Sequence, residues 1–274
     1  MILVAASNKD VAGLNIAHQV LDHYPFKRTN DISQKNPVYS VRLNSEEIIL
    51  TIIGEETINA QDLAVNFANP RLVVFLSRHS SKSGRPTLSV HTPGNFDTAE
   101  FGGLPRRISI APATAMRNAL KALSLFKESM KLNYEVSYEC THHGPSLDVP
   151  TMFVELGSSM LQWSDSRAAE ALAHSAMSAI SKFGDLSNTA EVGIGGPHYN
   201  QRFTTMALNG EAFFGHMIPK YAIQKIDSNM LRQCVERTSE KVDFAYLDWK
   251  GIRGTDKPHV LGMLKEIGLS YKKI

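Results

Sequence analysis

Six of the ten histidines in this 274-residue sequence fall within five short segments, 77–86, 89–95, 139–146, 193–199 and 214–219. The segments are punctuated by glycine and proline, which place each imidazole at or near a strand end, where α/β folds build their sites. Imidazole serves as general base, proton shuttle or metal ligand near neutral pH. His142 and His91 stand out as a pair, with His79 and Glu155 in support and Glu139 and His198 as further catalytic candidates. Glu155 interrupts an apolar run of Met152, Phe153, Val154 and Leu156, where a carboxylate is costly unless paired or bound to a metal. The blander alternative at Glu155 is a buried ion pair. His18, His23, His174 and His259 lie on helical stretches and read as structural.

Strand periodicity constrains how these groups converge. If residues 134–143 continue as one strand, Tyr138, Cys140 and His142 share one face, and Glu139 and His143 the other. On that reading the two adjacent histidines cannot serve one metal. Ser83-Gly84-Arg85-Pro86 could cradle a phosphate through backbone N–H groups with Arg85 adding charge, or could be a plain tight turn. Gly193-x-Gly195-Gly196 does not match a dinucleotide fingerprint, and the nucleophile-elbow, HExxH and Walker patterns are absent.

The elements that must position these residues alternate along the chain. Apolar, β-branched runs predict strands over 2–6, 38–43, 48–53, 72–77, 134–141, 152–156, 191–194 and 244–249. Between them Asp10 caps a helix running to about His23, and Pro112 opens one carrying Met116, Leu120, Leu123 and Met130 on one seam. Further helices are expected over 166–183 and 228–240, and from Asp256 with Pro258 in its first turn. This alternation predicts a three-layer α/β/α fold in one compact domain over residues 1–274. Asn44-Ser45 between two strands suggests a hairpin, hence a mixed sheet. Residues 78–107 break the pattern and read as a long irregular segment, of the kind that usually carries function.

Composition bounds the partners. The formal net charge is +2, so a polyanion must be gripped by a local patch. Lys27-Arg28, Arg106-Arg107, Lys272-Lys273 and the Arg117/Lys121 helix face are the basic candidates. The two cysteines form no CxxC pair, which fits a reducing compartment. The opening MILVAAS is too short for a signal peptide, and no run approaches the roughly 18 apolar residues of a membrane span. A cytoplasmic location is expected, as a monomer or small homo-oligomer.

Read together, SRHSSKSGRPTLSVHTPGN, YEVSYECTHHGPSLDVPTMFVELGSS, VGIGGPHYNQRFT and FGHMIPKYA resemble the archaeal- and plant-type D-aminoacyl-tRNA deacylases over nearly the whole chain. THHGP, GGPHY and GHMIPKYA in this order are specific in combination. The resemblance implies a phosphorylase/hydrolase-like α/β fold similar to peptidyl-tRNA hydrolase, dependence on zinc, and a tRNA mischarged with a D-amino acid as substrate. His79, His91, His142, Glu155 and His216 are then the candidate zinc ligands, and His142, His91, Glu139 and His198 the candidate catalytic groups. Zinc-assisted attack of water on the ester and a histidine general base working with backbone N–H donors both remain open. Arg85, Gly144, Gly195, Gly196, Arg106 and Arg107 are the candidate substrate contacts. The glycine-proline turns could form a wall that rejects L side chains. The competing readings are a zinc-dependent hydrolase of small esters or amides and a noncatalytic RNA-binding protein.

Overall fold

The computed structural model describes residues 1–43, 45–81, 84–184 and 189–274. Its strands are β1 (Ile2–Ser7), β2 (Lys27–Ser33), β3 (Asn36–Leu43), β4 (Glu46–Ile53), β5 (Val73–Ser80), β6 (Thr87–His91), β7 (Gly94–Asn95) and β8 (Arg107–Ile108). They continue with β9 (Glu135–Tyr138), β10 (Thr151–Ser158), β11 (Ala190–Ile194), β12 (Phe214–Ile218), β13 (Val242–Leu247) and β14 (Ser270–Lys273). The helices are α1 (Val11–His23), α2 (Leu63–Asn66), α3 (Ala113–Ser129), α4 (Met160–Trp163), α5 (Ser166–Ser181), α6 (Gln201–Asn209), α7 (Ser228–Glu236) and α8 (Lys257–Ile267).

Eight strands form a large mixed sheet in the order β2-β3-β4-β1-β5-β10-β6-β9. Its centre is parallel, β4, β1, β5 and β10 running together, while β3 pairs antiparallel with β4 and β6 with β10. Alternation along the central strands sends side chains to two covered faces. Val4, Val74, Leu88 and Val154 meet the apolar seams of α1, α3 and α5, including Ile16, Leu120 and Leu172. Leu3, Phe75 and Phe153 point the other way, under Leu63 of α2 and the loop residues Leu147 and Val149. The expected mixed α/β sheet with helices on both sides is therefore present, with a thin second helical layer. The β3–β4 hairpin is also present, although Asn44 of its turn lies outside the described residues.

Three expectations change. The strands after residue 189 do not join the large sheet but form a second, parallel one, β12-β11-β13-β14, packed on α7 and α8 through Met230, Leu231, Val260 and Met263. The segment 78–107 is not irregular throughout, since it completes β5 and contains β6, a fully buried interior strand. Its Thr87, Ser89 and His91 hid the strand because they are polar groups in the sheet interior. The helix expected over 228–240 stops at Glu236.

That last difference has a structural use. Helix α3 begins after Pro112, which offers no side-chain cap. Glu240, only 4% exposed, supplies one from far along the chain. Its two carboxylate oxygens accept from the Ala113 N–H (3.0 Å) and the Thr114 N–H (2.8 Å). A carboxylate there meets two orphan donors and the positive end of the helix dipole. Ala111 pairs with residues 237 and 239 alongside, so this stitch ties the second sheet's approach to the main helical layer. Glu240→Ala should cost about 2–3 kcal/mol, for two charge-assisted bonds and a cap. Thermal unfolding should show this as a drop of about 4–10 °C. An unchanged melting temperature would mean the cap contributes nothing.

Candidate active site

The site forms where the two sheets meet. His79 stands at the C-terminal end of β5, His91 ends β6, and Glu155 projects from β10, with β10 running between β5 and β6. Register places Glu155 opposite both Ser77 and Ser89, and Phe153 opposite His91. The chain leaving β9 then crosses toward the second sheet. The Cys140 N–H donates to the His198 carbonyl (2.9 Å) and the Thr141 N–H to the Met217 carbonyl (3.0 Å). Glu139 and Tyr199 share a bridge. His198 thereby reaches the histidines of the large sheet.

Glu139 has no exposed surface. His198 Nε2 donates to one of its oxygens (2.9 Å), with His142 Nε2 3.6 Å from the same atom and His79 Nδ1 3.3 Å from the other. Burial alone would raise its pKa, but the His198 hydrogen bond and the surrounding imidazoles hold it far below the usual carboxylate range. Glu155 lies 3.6 Å from His79 and 3.9 Å from His91. Burial pushes it up to about 7, with His79 opposing the rise and the Glu139 charge adding to it. Burial disfavours a charged His79, yet its hydrogen bond to Glu155 and the two carboxylate charges raise it to about 9. His79 is therefore an imidazolium bridging two buried acids, and its Nε2 meets the Tyr199 hydroxyl.

His91, His142 and His143 form a second group, their rings 4.2–4.9 Å apart. Burial depresses the pKa of all three, and neighbouring imidazoles depress His91 and His142 further, so each is neutral at pH 7. His142 Nδ1 donates to the Cys140 carbonyl (2.8 Å) and His143 Nδ1 to the Gly144 carbonyl (2.7 Å), leaving each Nε2 with its lone pair. Neither nitrogen of His91 has a hydrogen-bond partner among the described residues, although the ring is fully buried. Donor atoms of the three lie within 4.8 Å of one another. Backbone-anchored Nδ1–H groups with free Nε2 atoms are the usual arrangement of histidine metal ligands.

Among the proposed zinc ligands, His91 and His142 are thus together with free donor atoms. His79 has both nitrogens engaged, and Glu155 stands beside it in a second candidate group with Glu139. His216 is not brought in. It is buried in β12, accepting from Thr141 Oγ1 (3.1 Å) and donating to the Arg237 carbonyl (3.0 Å), so it braces the turn before His142. The sequence reading missed His143 by extending the strand through it. β9 ends at Tyr138, and His143 takes a left-handed conformation (φ 44°), which brings its ring to the same side as His142. The Gly144-Pro145 pair directly after it was the available signal for an earlier strand end.

Above the cluster opens a cavity of about 370 Å³ whose lining includes His79, His142, His143, Glu155, His198 and Phe101. A second, of about 380 Å³, shares His79 and Tyr199 with it and is lined also by Arg85, Thr87 and Gln201. Ser83 of the phosphate-cradle motif lies outside the described residues, but Arg85 does face this second space. Arg106 and Arg107 lie elsewhere and are already engaged, Arg106 with Asp227 (2.7 Å) and Arg107 with both oxygens of Asp148 (2.6 and 2.8 Å).

The glycines expected to contact substrate are packed against protein atoms on the side where a Cβ would stand. A Cβ on Gly144 would stand 2.2 Å from the Gly103 nitrogen and 2.3 Å from the Gly102 carbonyl carbon. Gly195 and Gly196, both at positive φ, close against Ile252, Asp248 and Asn200. Their smallness serves close packing around the site.

A mixed α/β sheet whose strand ends converge on a buried histidine–carboxylate cluster under an open cleft defines an enzyme of the α/β class. A sequence profile of the family described as D-aminoacyl-tRNA deacylase matches residues 66–272. The chain is 35% identical to a D-aminoacyl-tRNA deacylase of Thermococcus onnurineus, covering 99% of both chains. It is 33% identical to the protein of that name from Pyrococcus abyssi, covering 100% of both. A crystal structure described as a conserved protein of unknown function is similar at a TM-score of 0.89 and 31% identity, covering 100% of this chain and 95% of that one. The chain belongs to the D-aminoacyl-tRNA deacylase family. Among the described residues, no helix is long and apolar enough to cross a membrane.

Because the neighbours of Gly144 are backbone atoms that cannot swing aside, Gly144→Ala should destabilise the fold by about 3 kcal/mol and displace His142 and His143. Thermal unfolding and a structure of the variant measure both. A variant with unaltered stability would show that the loop gives way easily.

Proposed function

We propose that this chain hydrolyses the ester joining a D-amino acid to the 3′-terminal ribose of tRNA. The observation that carries the reading is the buried cluster of two carboxylates and five histidines beneath an open cleft, in a chain similar over its whole length to proteins bearing that activity's name. Cytoplasmic tRNA is the partner this reading requires.

The orphaned nitrogens of His91 and the free Nε2 atoms of His142 and His143 fit a zinc ion, which these three would hold. When bound, it would supply Lewis-acid polarisation of the ester carbonyl. Glu155, lining the cavity, is placed to take the proton of the attacking water as the new oxygen–carbon bond forms. The ester carbon–oxygen bond then breaks, and the ribose oxygen needs a proton. Tyr199, which lines the cavity and is hydrogen-bonded to protonated His79, can deliver it. Glu139 stays ionised and orients His198 from below.

The test is kcat/KM on matched D- and L-tyrosyl-tRNA, before and after exhaustive chelation. The D-ester should be hydrolysed and the L-ester spared, with activity lost on chelation and restored by zinc. Comparable rates on both esters would contradict chirality proofreading. Full activity in protein shown to be metal-free would remove zinc from the reaction and leave the side chains to act alone.

A further inference from the structure

Large apolar side chains in this protein are mostly buried, yet Phe101 is 65% exposed and lines the mouth of the cavity that holds His142 and His143. Its ring belongs to none of the hydrophobic clusters or aromatic pairs among the described residues. Its backbone, in contrast, is tightly fixed. The Phe101 carbonyl accepts from the Gly144 N–H (2.9 Å), the residue directly after the catalytic histidines. Buried Asn95 donates to the carbonyls of Gly102 (2.8 Å) and Leu104 (3.2 Å), and the Leu104 N–H donates to Ser146 Oγ (3.1 Å). Gly102 and Gly103 press backbone to backbone on Gly144. The backbone of the loop bearing Phe101 and that of the turn bearing His142 and His143 are thus tied together, and the exposed ring is carried from a fixed anchor point beside the site.

A flat apolar surface kept in water at a reactive mouth is suited to a flat apolar ligand. We propose that Phe101 is the stacking platform for a nucleobase at the single-stranded 3′ end of the RNA substrate, an inference that rests on the hydrolase reading above. Every base has a π-face, so such a platform holds the end of any tRNA without reading its sequence. It also supplies affinity that charge does not. The net charge is only +2, and Arg106 and Arg107, a few residues further along the same loop, are already paired with Asp227 and Asp148.

The experiment compares wild type with Phe101→Ala, Phe101→Leu and Phe101→Trp. Melting temperature serves as a control, since an exposed ring contributes little to packing. The KM for D-tyrosyl-tRNA should rise about 10-fold in the alanine and leucine variants, with kcat nearly unchanged, and return toward wild type with tryptophan. Binding of an uncharged RNA oligonucleotide ending in CCA, followed by fluorescence anisotropy, should weaken in the same order. If the oligonucleotide binds wild type and Phe101→Ala equally, or does not bind wild type, the platform is overturned. If wild type hydrolyses no D-aminoacyl-tRNA, the hydrolase reading falls, while the oligonucleotide measurement still decides the role of Phe101.

Discussion

A carboxylate with no exposed surface cannot stand alone, and Glu139 is such a group. Its charge is tolerable only because His198 donates to it and protonated His79 stands 3.3 Å away. Meeting that demand explains much of the architecture around it. His79 must come from the end of β5 and His198 from the loop after β11, so both sheets have to converge on one point. The second carboxylate, Glu155, shares His79 with the first. Two acids and one shared imidazolium hold each other in place, and the neutral trio of His91, His142 and His143 packs alongside with donor atoms free.

Rigidity around this cluster comes from close backbone packing. Gly144 admits the Gly102–Gly103 segment to within contact of its own backbone, and the His216 ring spans Thr141 and the Arg237 carbonyl. The same Arg237 side chain reaches the Ile108 and Leu147 carbonyls and Asp148, binding the end of α7 to the loops beneath the site. A histidine cluster held in this way needs little reorganisation when charge develops above it, which is the condition for electrostatic catalysis.

Much of this was legible in the sequence, and the rest was hidden for identifiable reasons. Helices α1, α3 and α5 announced themselves through apolar spacing, with Asp10 as the cap of α1 and Pro112 at the start of α3, because a helix's own residues determine its buried face. The histidine segments were visible as chemistry on turns, and His79, His91, His142, His198, Glu139 and Glu155 do come together. Strand β6 was obscured by Thr87, Ser89 and His91, whose polarity belongs to the site. The separate second sheet could not be read, since which strands pair is decided by partners distant in sequence. For the same reason Glu240 looked like the end of a helix, when it caps another helix some 127 residues away. That Arg106 and Arg107 pair with Asp227 and Asp148 could not be read either, because nothing local points to those distant acids.

The central claim is that the buried Glu139 anion orients the histidines above which the ester is cleaved. The direct measurement is the single-turnover rate of D-tyrosyl-tRNA hydrolysis by Glu139→Gln, in which an amide of nearly the same volume replaces the carboxylate. A neutral side chain cannot accept from His198 with a full charge or balance protonated His79. The rate should therefore fall about 100-fold or more, with the protein still folded. A folded Glu139→Gln enzyme that turns over at close to the wild-type rate would contradict the account.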